Sequence, residues 1–171
     1  ALLTLILTLG IRFISQRNVN QQRILDFTSH TVRALDNVLL SLENHRNVLQ
    51  PLVGQPCPQV QLALRQQAAI LQTVRSIALI EDGILYCSSI FGSRSEPVRD
   101  VLQELPASTA KLILSTDQWL LKGSPVLIQW YPVSQDGEDG VVEIINIDLI
   151  ARMILEPQRP LINDVMLTVG D

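Results

Sequence analysis

From Asn18 to about Gln50 the chain runs without a single Pro or Gly, and then meets Pro51, Gly54, Pro56 and Pro58 in quick succession. A breaker-free run of that length predicts one long helix, and the cluster of breakers predicts its end and a tight connection. Within the run, Ile24, Phe27, Thr31, Leu35, Val38, Leu42 and Leu49 form an apolar stripe at helical spacing. Leu25, Val32 and Leu39 form a second stripe, seven apart. At 1.5 Å per residue, some 30 residues reach about 45 Å. Two uses of such a helix stay open: both stripes pack on the chain's own domain, or one serves as a dimer seam. The seam lacks dense heptads and makes a poor coiled coil by itself. His30 and His45 both fall on this helix and read as surface or packing residues, with nothing to support a pH-sensing role.

Ahead of the helix lies ALLTLILTL (1–9), followed by Gly10, Ile11, Arg12, Phe13 and Ile14. A membrane-spanning helix needs roughly 20 apolar residues. This stretch is shorter and reads as the outer half of one, with Arg12 and Arg17 placed to snorkel toward headgroups. Residues 1–17 are therefore expected to be the end of a first transmembrane helix, and 18–171 a domain beyond the membrane. A signal-peptide remnant is disfavoured because no convincing small-residue cleavage site follows the apolar run. Charge divides in the same place: residues 1–50 carry five Arg against three acids, while 51–171 carry eight bases against fourteen acids. With 47% apolar and 18% charged residues, disorder is excluded for most of the length. A net charge of −4 argues against a nucleic-acid-binding face.

Past the breakers, a second helix is expected from Pro58 to about Gln72, with Pro58 in its first turn. Cys57 then stands at a helix N-terminus, where free amides and the helix dipole favour a thiolate. VRSIALI, Asp82-Gly83 and ILYCSS predict a β-hairpin. Simple alternation puts Leu85, Cys87 and Ser89 on one face and Ile84, Tyr86 and Ser88 on the other. Ser95–Leu105 reads as a short helix or helical turn. Lys111–Ser115, Val126–Pro132 and Val141–Ile147 read as strands, the last two joined by the Asp- and Gly-rich loop Ser134–Gly140. Asp148 is the expected cap of a helix Leu149–Leu155 that Pro157 stops, and Val165–Val169 reads as a further strand. The pattern is α+β: a long N-terminal helix, a second helix and an antiparallel sheet of about five strands.

Two Cys and two His cannot assemble a metal site of familiar spacing. The acidic turns Glu81-Asp82 and Asp136, Glu138, Asp139 lack the ordered oxygen ligands of a calcium loop. There is no GxSxG elbow and no phosphate loop. No catalytic, cofactor or metal residue is therefore expected. Trp119, Trp130 and Tyr131, with Arg75 nearby, are candidates to line a ligand cavity, but the core reading is favoured because Trp130 sits in an apolar strand. Cys57 and Cys87 lie thirty apart. Outside the cytoplasm an even count of two suggests one disulfide. Closing such a loop is worth roughly 3–4 kcal/mol on the chain-entropy account. A permanent staple, a redox switch and two unpaired thiols all remain open on the residues alone.

Cys87-Ser88-Ser89 at the end of the hairpin strand, followed by Ile90-Phe91-Gly92, together with the Pro-flanked Cys57 and the membrane-side start, resembles the CSS-motif sensor domain. The likeness covers essentially the whole chain. It implies a domain in the bacterial periplasm, anchored in the inner membrane between two transmembrane helices, ahead of a cytoplasmic EAL phosphodiesterase that hydrolyses cyclic diguanylate to linear pGpG. It also implies that Cys57 and Cys87 are the redox pair. The disulfide form would restrain the phosphodiesterase and the free-thiol form would be active, with periplasmic thiol-disulfide oxidoreductases and proteases as partners. No task for Ser88 or Ser89 comes with the resemblance; by position, Ser89 can hydrogen-bond backbone near the bridge. The 171 residues contain no EAL motif, so the segment itself is expected to be non-catalytic and without cofactor. Further expectations are attachment to the membrane through the N-terminal helix, a homodimer through the long helix and no nucleic-acid partner. The order of elements also resembles the extracellular PAS-like (Cache) sensors, which gives the alternative: a small-molecule receptor whose disulfide is purely structural.

Overall fold

A computed structural model of the 171-residue chain describes residues 2–116 and 123–155. Its elements are α1 (Leu2–Leu49), a 3-10 turn (Gln50–Leu52), α2 (Cys57–Ile70), β1 (Val74–Glu81), β2 (Ile84–Ser88), β3 (Gly92–Pro97), α3 (Val98–Val101), β4 (Lys111–Thr116), β5 (Pro125–Pro132), β6 (Gly140–Asn146) and α4 (Ile147–Leu155). The expected α+β class holds. The strands form one antiparallel sheet in the order β3-β2-β1-β6-β5-β4. There are six strands among the described residues rather than about five, because Gly92–Pro97 pairs with β2 and takes up the start of the short helix or helical turn expected over Ser95–Leu105. That strand is polar and largely exposed, so pairing with its neighbour specifies it and its own side-chain pattern does not. Within Ser95–Leu105 the helical part is a single turn, Val98–Val101. Trp119 and Val165–Val169 lie outside the described residues.

The chain divides into two units, Ala1–Ser41 and Leu42–Asp171, and α1 contributes to both. In the first, helix begins at Leu2, well ahead of Asn18, and Gly10 does not interrupt it. Leu25 and Val32 of the second apolar stripe are exposed there. Among the described residues no helix carries a stretch long and apolar enough to cross a membrane.

In the second unit, the sheet buries both faces. One face sets Ala78, Ile80, Ile128, Trp130 and Val142 against Val98, Leu102 and Leu105 from α3 and the segment after it. Trp130 donates from Nε1 to the Ala107 carbonyl at 2.6 Å, so its one polar atom is satisfied inside this core. By strand register, the other face carries Ile77, Leu79, Val141, Glu143, Leu127 and Tyr131. The end of α1 and one side of α2 reach this face, and they contribute the buried residues Leu42, Leu49, Cys57, Val60 and Leu64. The Asp82-Gly83 hairpin turn has positive φ at both positions (+50° and +71°), the geometry a two-residue primed turn requires. At the start of α4, the Leu149 amide donates to Asn146 Oδ1 at 3.3 Å. The cap is thus Asn146, and the expected cap, Asp148, lies in the first turn where its charge suits the helix dipole.

Candidate functional site

Pro56 stands at the N-cap of α2 and Pro58 directly follows Cys57, so two fixed φ angles set the direction of the helix at the cysteine. Cys57 is joined by a disulfide to Cys87 of β2, with Cα atoms 5.2 Å apart, inside the usual bridging range. Both residues are buried, Cys87 completely.

The orientation of Cys87 departs from simple alternation. Leu85 pairs with Ile80 but Cys87 pairs with Leu79, so β2 carries an extra residue, Tyr86, opposite β1. This bulge flips the side-chain parity. Leu85 joins the Trp130 core, while Cys87 turns to the opposite face and meets α2. The expectation that Leu85 and Cys87 share a face is therefore corrected. Tyr86 turns the same way as Cys87. Its hydroxyl accepts from the Gly54 amide at 3.0 Å and donates to the Leu52 carbonyl at 3.4 Å. The connection that delivers Cys57 is thereby pinned by the residue next to Cys87. Burial first of all raises the Tyr86 phenol above its ordinary pKa of 10, which keeps it protonated and able to donate.

A polar seam continues the covalent link along α2. Cys57, Gln61 and Arg65 are four apart and lie on one side of the helix. Arg65 Nε donates to the Ser89 carbonyl at 2.9 Å. Gln61, with its amide oxygen turned toward them, accepts from Arg65 Nη2 at 2.8 Å and from the Gly92 amide at 3.3 Å. Gly92 has φ +73°, and a Cβ there would stand 2.7 Å from the end of the Gln61 side-chain amide, so glycine lets the turn approach the helix.

Ser89, the residue just after β2, has a side chain that substitutes for ladder backbone. Its amide donates to the Ile77 carbonyl at 2.8 Å, and its Oγ accepts from the Ile77 amide at 3.0 Å. The expectation of a backbone hydrogen bond near the bridge fits this geometry. Ser88 pairs with Ala78, on the side away from the disulfide, and its Oγ accepts from the Ile90 amide at 3.3 Å. It borders a cavity of ≈ 20 Å³, room for one water and far below a small-molecule site. Ser89→Ala leaves the buried Ile77 amide without an acceptor. The expected cost is about 1–3 kcal/mol in urea unfolding, with faster exchange of that amide. Ser88→Ala is expected to cost less, because its partner amide is only partly buried.

A second polar cluster went unread in the sequence. His45, expected at the surface or in packing, is buried between two acceptors. Nδ1 lies 2.7 Å from Glu143 Oε1 and Nε2 lies 2.7 Å from Gln67 Oε1. Glu143 is fully buried in β6, and its Oε2 has no hydrogen-bond partner. Tyr131 donates to the Leu42 carbonyl at 3.0 Å, and the Arg46 guanidinium lies 5.7 Å from the centre of its ring. Two signals were available. His45 continues the stripe of Val38, Leu42 and Leu49 at spacings of three and four, and Glu143 interrupts the apolar strand VVEII. A buried imidazole hydrogen-bonded to a buried carboxyl explains both. The proposed cavity residues separate instead of converging. Trp130 and Tyr131 are neighbours on β5 and point to opposite faces of the sheet.

Comparison with known proteins places this geometry. Residues 20–171 match the family described as the CSS motif domain associated with EAL. Over 169 residues the chain is 58% identical to the Escherichia coli (strain K12) protein named "Probable cyclic di-GMP phosphodiesterase PdeD", covering 99% of this chain and 32% of that relative. It is 24% identical over 143 residues to "Probable cyclic di-GMP phosphodiesterase PdeN" of the same organism, covering 80% of this chain and 27% of that one. The chain thus spans about a third of the length of these relatives. Among solved structures, the ligand-binding domain of the Campylobacter jejuni chemoreceptor Tlp3 aligns with a TM-score of 0.55 at 12% identity, over 76% of this chain and 59% of that one. The extracellular domain of the putative histidine kinase rpHK1S-Z16 aligns with a TM-score of 0.51 at 17% identity, over 72% and 54%. These two likenesses are of fold. With its motif cysteine on a bulged strand, bonded to the first residue of α2, this chain belongs to the CSS-motif family, the domain associated with EAL.

Proposed function

We propose that this chain is a redox-responsive periplasmic sensor segment of an inner-membrane cyclic di-GMP phosphodiesterase, with Cys57–Cys87 as its working bond. The observation that carries the reading is the placement of that bond. It joins the first residue of α2 to β2 and closes a loop that contains all of α2 and β1. An external dithiol supplies the two electrons. Its thiolate attacks one sulfur and expels the other Cys as thiolate. Its second thiol then resolves the mixed disulfide, leaving two protein thiols and an oxidised donor. A thiolate at Cys57 is favoured by the N-terminal amides of α2. Reduction leaves α2 held to the CSS turn by the hydrogen bonds of Arg65 and Gln61, and movement of α2 reaches the end of α1 through Gln67 and His45. Residues 1–17 then serve as the membrane end of α1. A second copy is the natural partner for the exposed Leu25 and Val32, and periplasmic oxidoreductases and proteases are the partners that would act on the domain.

The test is hydrolysis of cyclic di-GMP by the full-length protein with the bond intact, after reduction by a dithiol, and in Cys57→Ser/Cys87→Ser. The reduced and double-variant forms are expected to be equally active and faster than the oxidised form. Equal rates in all three would leave the bond as a staple only. The alternative, small-molecule reception, draws on a depression of ≈ 490 Å³ that includes Asp100, Gln103, Glu104, Ile113 and Ser115 in its lining. Neither Trp130 nor Tyr131 is among its lining residues, and Trp119 lies outside the described residues.

A further inference from the structure

We propose that the buried His45–Glu143 couple is a proton-operated clasp, which holds the last turns of α1 to β6 and to α2 while the imidazole carries both protons and slackens as that proton leaves in alkaline surroundings. The inference does not depend on the redox reading.

Geometry carries it. Each ring nitrogen of His45 faces an oxygen at 2.7 Å, Oε1 of Glu143 on one side and Oε1 of Gln67 on the other. With Gln67 presenting its amide oxygen, both ring nitrogens donate, and only the imidazolium has two N–H groups; with that amide reversed, the neutral imidazole suffices. The groups around the ring agree. On α1, Arg46 is drawn over the Tyr131 ring and is within reach of the Gln50 amide oxygen, and Glu43 contributes negative potential to the same neighbourhood. On β5, burial above all raises Tyr131, so it stays a neutral phenol bonded to Leu42. On β6, Glu143 is fully enclosed, with one oxygen unpaired. On α2, the group facing the ring is the neutral Gln67 amide. The imidazolium is thus the cation hydrogen-bonded to a buried carboxylate. Burial lowers the His45 pKa, but the hydrogen bonds to Glu143 and Gln67 and the Glu143 charge outweigh it, leaving it above the ordinary value of 6.5.

When the proton departs from Nε2 to solvent, Nδ1–H can remain on Glu143. Nε2 then presents a lone pair to the Gln67 oxygen. The repulsion ends only if the Gln67 amide turns over to donate, or if α2 moves away. The protonation state is therefore read on α2, the helix that begins at Cys57. The sign follows from linkage. A raised folded-state pKa gives stability that is fully present below about pH 6.5 and is lost as pH climbs through the folded value.

The test is nitrogen-15 NMR of the two imidazoles in the 171-residue chain, with His30→Gln to assign them. At pH 7.5 a histidine of ordinary pKa keeps its second proton in about one-tenth of molecules. A protonated fraction at His45 several-fold above that, falling in Glu143→Gln, is the expected result. A fraction at or below one-tenth overturns the proposal. As a second readout, the melting temperature of the wild type is expected to fall between pH 6 and pH 9 relative to His45→Gln. Parallel curves would overturn it too. Should His45→Gln fail to fold, the wild-type titration still decides.

Discussion

Reduction of Cys57–Cys87, or the double variant Cys57→Ser/Cys87→Ser, is expected to lower the unfolding free energy by about 3–4 kcal/mol. The bond joins residues thirty apart. Freeing them restores the loop entropy of the unfolded chain, and the folded state keeps most of its contacts. A domain of this size has only about 5–15 kcal/mol in total, so the change is a large share of it. The melting temperature should drop by roughly 10 °C, at about 2–4 °C per kcal/mol. Urea unfolding of oxidised and reduced protein measures it directly. The two single variants should differ. Cys87 is fully buried, so Cys87→Ser adds the cost of an enclosed hydroxyl, whereas Cys57 retains slight exposure. Arg65, Gln61 and Tyr86 still hold α2 and its approach in place, so the reduced domain is expected to unfold cooperatively and not to melt piecemeal. A loss below about 1 kcal/mol would show that the unfolded chain is already constrained without the bond.

The second large effect is expected at His45 and Glu143. His45→Leu strands a carboxylate that is completely enclosed, and Glu143→Leu strands the ring that faced it. Removing one partner of a buried pair typically costs about 3–5 kcal/mol, whereas replacing both by apolar residues is often near neutral. His45→Leu/Glu143→Leu should therefore be much more stable than the two single losses added together would allow. Chemical denaturation of the four proteins completes the cycle. Simple additivity would mean that the two side chains do not interact.

What the chain revealed before its structure was known divides along physical lines. Breakers, periodicity and turn chemistry are local, and they placed the end of α1, α2, the Asp82-Gly83 hairpin and strands β4 to β6 within a few residues. The cysteine pair was legible because two cysteines allow one intramolecular bond. Non-local features were harder. β3 is polar and is made a strand by its neighbour, so nothing in Ser93–Glu96 announces it. The bulge at Tyr86 is a matter of register between two strands, and alternation along one strand cannot detect it. The seam from Arg65 to Ser89 and the meeting of His45 with Glu143 join positions 24 and 98 apart. Each partner bore a trace, as a histidine in an apolar stripe and a glutamate in an apolar strand. The pairing itself came only from the fold.

The extra residue on β2 makes the spacing between the Asp82-Gly83 turn and Cys87 a counted quantity. Grafting the three-residue motif onto an unbroken hairpin at the same offset would aim the sulfur into the tryptophan-side core and leave Cys57 facing a neighbour it cannot bond, whereas excising Tyr86 would keep the cysteine opposite Leu79 and remove the hydroxyl that pins the Gly54 connection. The count from turn to cysteine and the bulge are thus coupled: to keep the bond, both are kept or both are lost together.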